Sequence, residues 1–281
     1  MNCDKFIVSA SGVRMPRIIY GTAWKKERTT ALVVQAIELG FRGIDTAGQP
    51  KHYDEAGVGR GVSVALQRGL GREDLYLQSK FTPLGGQDPL RVPYDPSAGV
   101  AEQVAQSFQS SLRNLQTTYL DGLVLHSPLA DSAQMEKVWQ SMEKIFDGGG
   151  AKQLGISNCY DFRQLEHLYR TARVKPAVLQ NRFYADTGYD RIIRDFCRHN
   201  HILYQSFWTL TANPWILVHP VLRTLMEKYQ RSAAQLFFRY LSQMDIIPLT
   251  GTTSAAHMVE DLAIFDFALT GDDCAAVGAL L

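Results

Sequence analysis

Apolar residues along this chain recur in two alternating rhythms. Short runs that are almost wholly apolar, such as Leu123-Val124-Leu125 and Ile246-Ile247, are separated by longer stretches in which apolar residues return every three or four positions. The first kind fits strands buried on both faces of a sheet, and the second fits helices with one face laid against it. The strands expected are Ile18 to Gly21, Arg42 to Asp45, Leu75 to Lys80, Gly122 to His126, Gln153 to Ser157, Ala177 to Gln180, Ile202 to Ser206 and Ile246 to Leu249. The helices expected between them include Thr30 to Leu39, Val100 to Leu115, Met135 to Phe146, Phe162 to Ala172 and Ala233 to Ser242. Ahead of the repeat, Phe6-Ile7-Val8-Ser9 and Val13-Arg14-Met15-Pro16 flank the turn signal Ala10-Ser11-Gly12 and read as a β-hairpin. Eight such repeats predict an α/β fold, an (α/β)8 TIM barrel preceded by a hairpin, with residues 1–281 forming one domain.

An open, doubly wound sheet is the competing α/β architecture. It requires a GxGxxG turn between its first strand and helix, and Tyr20-Gly21-Thr22-Ala23-Trp24 is not that. Val58-Gly59-Arg60-Gly61 holds a GxG, but it opens a helix far from any strand end and lacks the third glycine. Two long connections interrupt the repeat. Phe81 to Ala98 is rich in Pro and Gly, and Thr209 to Pro220 carries Asn213-Pro214-Trp215. Both follow strands at the carboxyl-terminal face, where long loops shape substrate sites.

Composition narrows the classes of function. The formal net charge is +1 with charges interspersed, so no basic stripe marks a nucleic-acid or anionic-membrane partner. Cys3, Cys159, Cys197 and Cys274 lack metal-ligand or CxxC spacing and read as free thiols in a reducing compartment. Met1 to Lys5 does not open a leader, and no apolar run reaches about 18 residues, so a cytoplasmic protein is expected.

Asp45, Lys80 and His126 each close an expected strand, and Tyr53 follows the second. Together they supply a carboxylate, an ammonium, an imidazole and a phenol, the groups needed to protonate an oxygen that gains charge. The ammonium would lower the phenol's pKa, the carboxylate would hold the ammonium, and the imidazole would orient a carbonyl oxygen. A metal-dependent hydrolase needs clustered His and Asp at strand ends, and of seven histidines His126 alone ends a strand. No metal is expected.

Phe41-Arg42-Gly43-Ile44-Asp45-Thr46-Ala47, Ser79-Lys80, Asp121 to Pro128, Leu154-Gly155-Ile156-Ser157-Asn158 and Ile264-Phe265-Asp266-Phe267 resemble the aldo-keto reductase family, in order and over nearly the whole chain. The resemblance implies a barrel closed at the bottom by the hairpin, binding NADPH in extended form, with NADH possible. It also implies that Asp45, Tyr53, Lys80 and His126 are a catalytic tetrad. His52 remains the rival to Tyr53. Pro50 stands five residues after Asp45, where the family places its tyrosine, and counting back from Val58-Gly59 puts His52 in that column.

By the same transfer, Ser157, Asn158 and Gln180 would bind the nicotinamide carboxamide, and Thr22 would pass the ribose. Where the family has a Tyr-Ser pair this chain has Gln205-Ser206-Phe207-Trp208, so Phe207 or Trp208 would supply the ring against the nicotinamide. At the adenosine end Leu249 stands where a Lys is common and His257 nearest the usual Arg, leaving Thr250, Gly251, Thr252, Thr253 and Asp261 around the phosphate. Trp24, Tyr53, His126 and Trp208 would line the substrate pocket. The chain stops soon after Phe267, so a relatively open pocket is expected. The activity implied is NAD(P)H-dependent reduction of a small-molecule aldehyde or ketone, by a monomer, the family's common case. The alternative is a cofactor-binding regulatory barrel with little turnover, like the family's channel-associated β subunits.

Overall fold

Eight parallel strands close on themselves in the computed structural model, which describes residues 5–281. Cys3 and the expectation attached to Met1 to Asp4 fall outside the described residues. A two-stranded antiparallel hairpin, β1 (Phe6–Val8) and β2 (Arg14–Pro16), precedes the barrel. The barrel strands are β3 (Ile19–Gly21), β4 (Gly43–Asp45), β5 (Tyr76–Phe81), β6 (Gly122–Leu125), β7 (Leu154–Ser157), β8 (Val178–Arg182), β9 (Leu203–Phe207) and β10 (Ile246–Thr250). They pair in chain order, and β10 returns to β3 through Leu249↔Ile19 and Thr250↔Tyr20. Every expected barrel strand is present within two residues of its expected ends.

The two-residue period of a strand sorts side chains into inner and outer faces. On the outer face Leu123, Leu125, Leu154 and Ile156 join the large core between barrel and helices. On the inner face three layers rise along the axis. Ile19, Tyr76, Val178 and Ile247 form an apolar floor, into which the hairpin inserts Val13 and Met15. Above it lies a polar layer of Asp45, Gln78, Gln180 and Gln205, all at most 3% exposed. Continuing the same parity brings Lys80 on β5 and Arg182 on β8 to the carboxyl-terminal rim. Polar residues thus occupy the end of the barrel where this fold carries its sites.

Helices α1 (Thr29–Leu39), α2 (Glu55–Gln67), α3 (Val100–Leu115), α4 (Ser132–Asp147), α5 (Phe162–Thr171) and α6 (Arg191–His199) follow β3 to β8 in turn. The run α7 (Pro214–Leu217), α8 (Pro220–Tyr229) and α9 (Ala233–Gln243) follows β9, and α10 (Ala255–Leu262) and α11 (Gly271–Gly278) complete the chain. The connection after β9 is therefore partly helical, with Pro214 and Pro220 at the first turns where a missing N–H costs nothing. The GxG of α2 serves packing: a Cβ on Gly59 would lie 2.1 Å from the Asn114 carbonyl oxygen of α3, and one on Gly61 2.7 Å from Val33 of α1. No helix among the described residues is long and apolar enough to cross a membrane.

Candidate active site

Asp45 and Lys80 meet inside the barrel because β4 and β5 are neighbours and both residues face the axis. Lys80 Nζ donates to Asp45 Oδ2 at 2.5 Å and to the Thr46 carbonyl at 2.9 Å. The second carboxylate oxygen, Oδ1, accepts from Gln78 Nε2 at 2.7 Å and Gln180 Nε2 at 3.1 Å. Gln205 Oε1 takes the other N–H bonds of both amides, at 2.9 and 2.8 Å. The ion pair is thus buried with its lone pairs satisfied, the condition under which desolvation is offset.

His126 lies one residue beyond β6, and its backbone N–H donates to the Phe81 carbonyl at 2.8 Å. The Tyr53 ring stands edge-on to the His126 ring, 5.9 Å between centroids, and Lys80 Nζ lies 5.2 Å from the Tyr53 centroid. Asp45, Lys80, Tyr53 and His126 therefore gather at one place on the rim. His52 turns aside. Its ring packs on Trp24 at 3.9 Å, and Nδ1 is hydrogen-bonded to Gln49 Oε1 at 2.9 Å. Gln49 makes this division, since its carbonyl accepts both the His52 and Tyr53 N–H groups in one tight turn.

Burial pushes the Tyr53 phenol well above its ordinary range, and the Asp45 carboxylate adds to the rise. This corrects the expectation that Lys80 would draw the phenol down. The ammonium sits over the ring face with its charge compensated by Asp45, so desolvation wins. Burial also pulls Lys80 down, against the opposing pull of Asp45. His126 is held well below the usual histidine range by burial and then by the Lys80 charge, so its imidazole is neutral at pH 7.

Thr82 is a site residue that sequence reading missed. Only 2% exposed, it places Oγ1 2.7 Å from His126 Nδ1. A buried hydroxyl with one acceptor in reach directs its proton there, because an orphaned O–H costs about 1–3 kcal/mol. With Oγ1 donating, the neutral ring carries its proton on Nε2. The Thr82 carbonyl accepts from Tyr94 Oη at 2.8 Å and Gln87 Nε2 at 3.2 Å, which ties the loop after β5 to the site. Two residues past Lys80 on the same parity, Thr82 was legible as inward-facing.

The expected cofactor residues divide into engaged and open groups. Thr22 Oγ1 is buried on the Asp45 carbonyl at 2.8 Å, Ser157 Oγ donates to the Gln180 carbonyl at 2.7 Å, and Ser206 Oγ accepts from Thr209 at 2.9 Å. Asn158 Nδ2 donates to the His126 carbonyl at 2.8 Å, beside the acid–base set. Phe207 is half-buried, and Trp24 and Trp208 are exposed. Leu249 packs against the floor of the barrel, and Thr250 Oγ1 is spent on Asp261 Oδ2 at 2.7 Å. Burial pushes that carboxyl up to about 6. Gly251, Thr253 and His257 are exposed, and Thr252 is half-buried, at the approach to α10. Lys25, which sequence reading did not single out, reaches across to donate to the Gly251 carbonyl.

A dinucleotide needs amide-reading groups at one end and N–H or cationic groups at the other. Asn158 stands at the first, with Gln180 below it, the Gln180 N–H groups already given to Asp45 Oδ1 and Gln205 Oε1. The opening turn of α10, Thr252, Thr253 and Lys25 stand at the second, so the residues present fit that group. Among the described residues no group of three His, Cys, Asp or Glu side chains could hold a metal ion.

The model of the aldo/keto reductase family matches residues 17–281. The uncharacterized oxidoreductase YtbE of Bacillus subtilis is 31% identical over 273 residues, covering 96% of this chain and 90% of its own. The glyoxal reductase of the same organism is 30% identical, with the same coverage of 96% and 90%. An NADPH-dependent codeinone reductase of Papaver somniferum is 28% identical across 95% of this chain and 86% of its own. Among solved structures, an aldo/keto reductase of Brucella melitensis superposes with a TM-score of 0.84 at 26% identity, covering 98% of this chain and 99% of that one.

Proposed function

The chain belongs to the aldo/keto reductase family, and from that premise we propose that it reduces an aldehyde or ketone to the alcohol, with NADPH or NADH as the reductant. The observation that carries the reading is the Lys80–Asp45 pair, 2.5 Å apart, with the Tyr53 and His126 rings beside it at the barrel mouth. A reduced nicotinamide, when bound, supplies the hydride. Asn158 and Gln180 would hold its carboxamide, and the residues from Gly251 to His257, with Lys25, its phosphate end.

The chain's own groups manage charge and protons. The carbonyl oxygen would accept a hydrogen bond from His126 Nε2–H and from the Tyr53 phenol. As the oxygen gains charge it becomes a stronger base than a phenolate, and Tyr53 gives up its proton. The high pKa of Tyr53 keeps the phenol protonated until that moment. Lys80 then stabilises the phenolate, and Asp45 keeps Lys80 charged and in place.

The test is a fluorescence titration with NADPH and NADH, followed by aldehydes and ketones while reduced-cofactor absorbance is followed. Glyoxal is a reasonable first probe, given the glyoxal reductase relative. Binding with turnover is the expected result. Binding without turnover across the panel would favour the regulatory barrel, and no binding of either cofactor would overturn both. Because Leu249 replaces the common lysine, the NADPH preference should stay below roughly a thousandfold, about 4 kcal/mol; a larger ratio would mean that Lys25 reads the 2′-phosphate.

Thr82 gives a second prediction. Thr82→Val removes the donor to His126 Nδ1 without changing shape, and should lower kcat by roughly tenfold, the worth of one hydrogen bond to a buried group. Thr82→Ser should restore it. Nitrogen NMR of the His126 ring should show Nδ1 unprotonated in the parent and mixed tautomers in Thr82→Val. A parent ring protonated at Nδ1 would sink the assignment.

A further inference from the structure

Arg182 is a cation without an anion. Val178, Gln180 and Arg182 share the inner face of β8, with Val178 on the floor, Gln180 in the polar layer and Arg182 at the rim. Its guanidinium carbon lies 4.3 Å from the Trp208 ring centroid and 5.1 Å from that of Tyr184. No ion pair or side-chain hydrogen bond engages its guanidinium among the described residues, and its Nε is buried without an acceptor. A chain of hydrogen bonds ties it to the acid–base set. The backbone N–H of Arg182 donates to Tyr160 Oη at 3.0 Å, Tyr160 Oη donates to Asn158 Oδ1 at 3.3 Å, and Asn158 Nδ2 donates to the His126 carbonyl at 2.8 Å.

Ring packing does not account for this arrangement. Cation–π contact at a partly exposed site is worth about 0.5–1 kcal/mol. Leaving the buried Nε–H of the Arg182 guanidinium unmet costs about 1–3 kcal/mol. The deficit is removed by an acceptor that arrives from outside, and the acceptor matched to a planar guanidinium edge is a two-oxygen anion. Trp208, 50% exposed, and Tyr184, half-buried, would flank it as apolar walls.

We propose that Arg182 is an oxyanion-binding residue of the barrel mouth, taking a carboxylate or phosphate group that belongs either to the carbonyl substrate or to the cofactor's diphosphate. The substrate and cofactor arms rest on the reductase reading, whereas binding of a free anion does not.

The experiment compares the full-length parent, Arg182→Gln and Arg182→Lys, with circular dichroism as the check on folding. Inorganic phosphate is titrated against tryptophan fluorescence, with Trp208→Phe identifying the reporting ring. NADPH affinity is then measured, and KM is compared for glyoxylate and for its uncharged analogue glycolaldehyde. The expected result is that Arg182→Gln weakens phosphate binding by about tenfold or more, with Arg182→Lys intermediate, as loss of a charge-assisted fork would do. A rise in KM confined to glyoxylate assigns the site to the substrate, and a loss of NADPH affinity assigns it to the diphosphate. If phosphate binding, NADPH affinity and the ratio of the two KM values are all unchanged in folded Arg182→Gln, the proposal is overturned. Arg182-dependent phosphate binding in a parent that turns over no carbonyl would sustain the site and sink the reductase reading.

Discussion

Tyr53→Phe should remove carbonyl reduction, by about 100- to 10,000-fold in kcat, which is what a positioned general acid contributes. The substitution deletes one oxygen and keeps the ring that packs beside His126 at 5.9 Å, so the pocket is preserved. Cofactor affinity should stay within about threefold, because among the described residues no hydrogen bond runs through the Tyr53 hydroxyl. His52→Ala is the control. His52 is stacked on Trp24 and bonded to Gln49, and its loss should cost kcat less than about tenfold. If the two variants rank the other way in steady-state kinetics, the acid is His52.

The second large effect concerns the ion pair beneath. Lys80→Met fills a similar volume but leaves the Asp45 carboxylate buried with only the Gln78 and Gln180 amides as donors. Breaking such a pair from one side costs about 3–5 kcal/mol, much of it the unpaired charge. Urea unfolding should show that loss, and turnover should vanish with the phenolate's counter-charge. Lys80→Met combined with Asp45→Asn should regain much of the stability and none of the activity, a coupling that only direct neighbours show. A stability loss under about 1 kcal/mol in the single variant would mean that water reaches Asp45 and that the pair is screened.

Strand positions were legible because both faces of a barrel strand are buried, so each strand writes an unbroken apolar or small-residue run into the sequence. Helices were less complete. The start of α4 at Ser132 was missed by three residues, since the signal there is Asp131 accepting from the Gln134 N–H, a polar cap outside the apolar rhythm. α8 was absent from the reading because Pro214 and Pro220 look like breakers when they are first-turn residues. Asp45, Lys80 and His126 were legible as polar ends of apolar strands. Tyr53 against His52 was not, because counting columns cannot say which way a loop of altered length folds back; the Gln49 turn brings the Tyr53 ring beside His126. Thr82 and Arg182 continue the inward parity of Lys80 and Gln180. Neither stands out in the apolar rhythm, because each lies past the polar residue that closes its expected strand.

On the proposed reductase reading, the loop over residues 84–98 invites exchange as a way to redirect selectivity. Its attachment argues against treating it as a cassette. Tyr94 and Gln87 hold the carbonyl of Thr82, whose hydroxyl holds the ring of His126, so a transplanted loop lacking those two anchors would alter turnover together with selectivity. A graft that keeps Gln87 and Tyr94 and varies the segment between them would let selectivity change while the proton chemistry stays as it was.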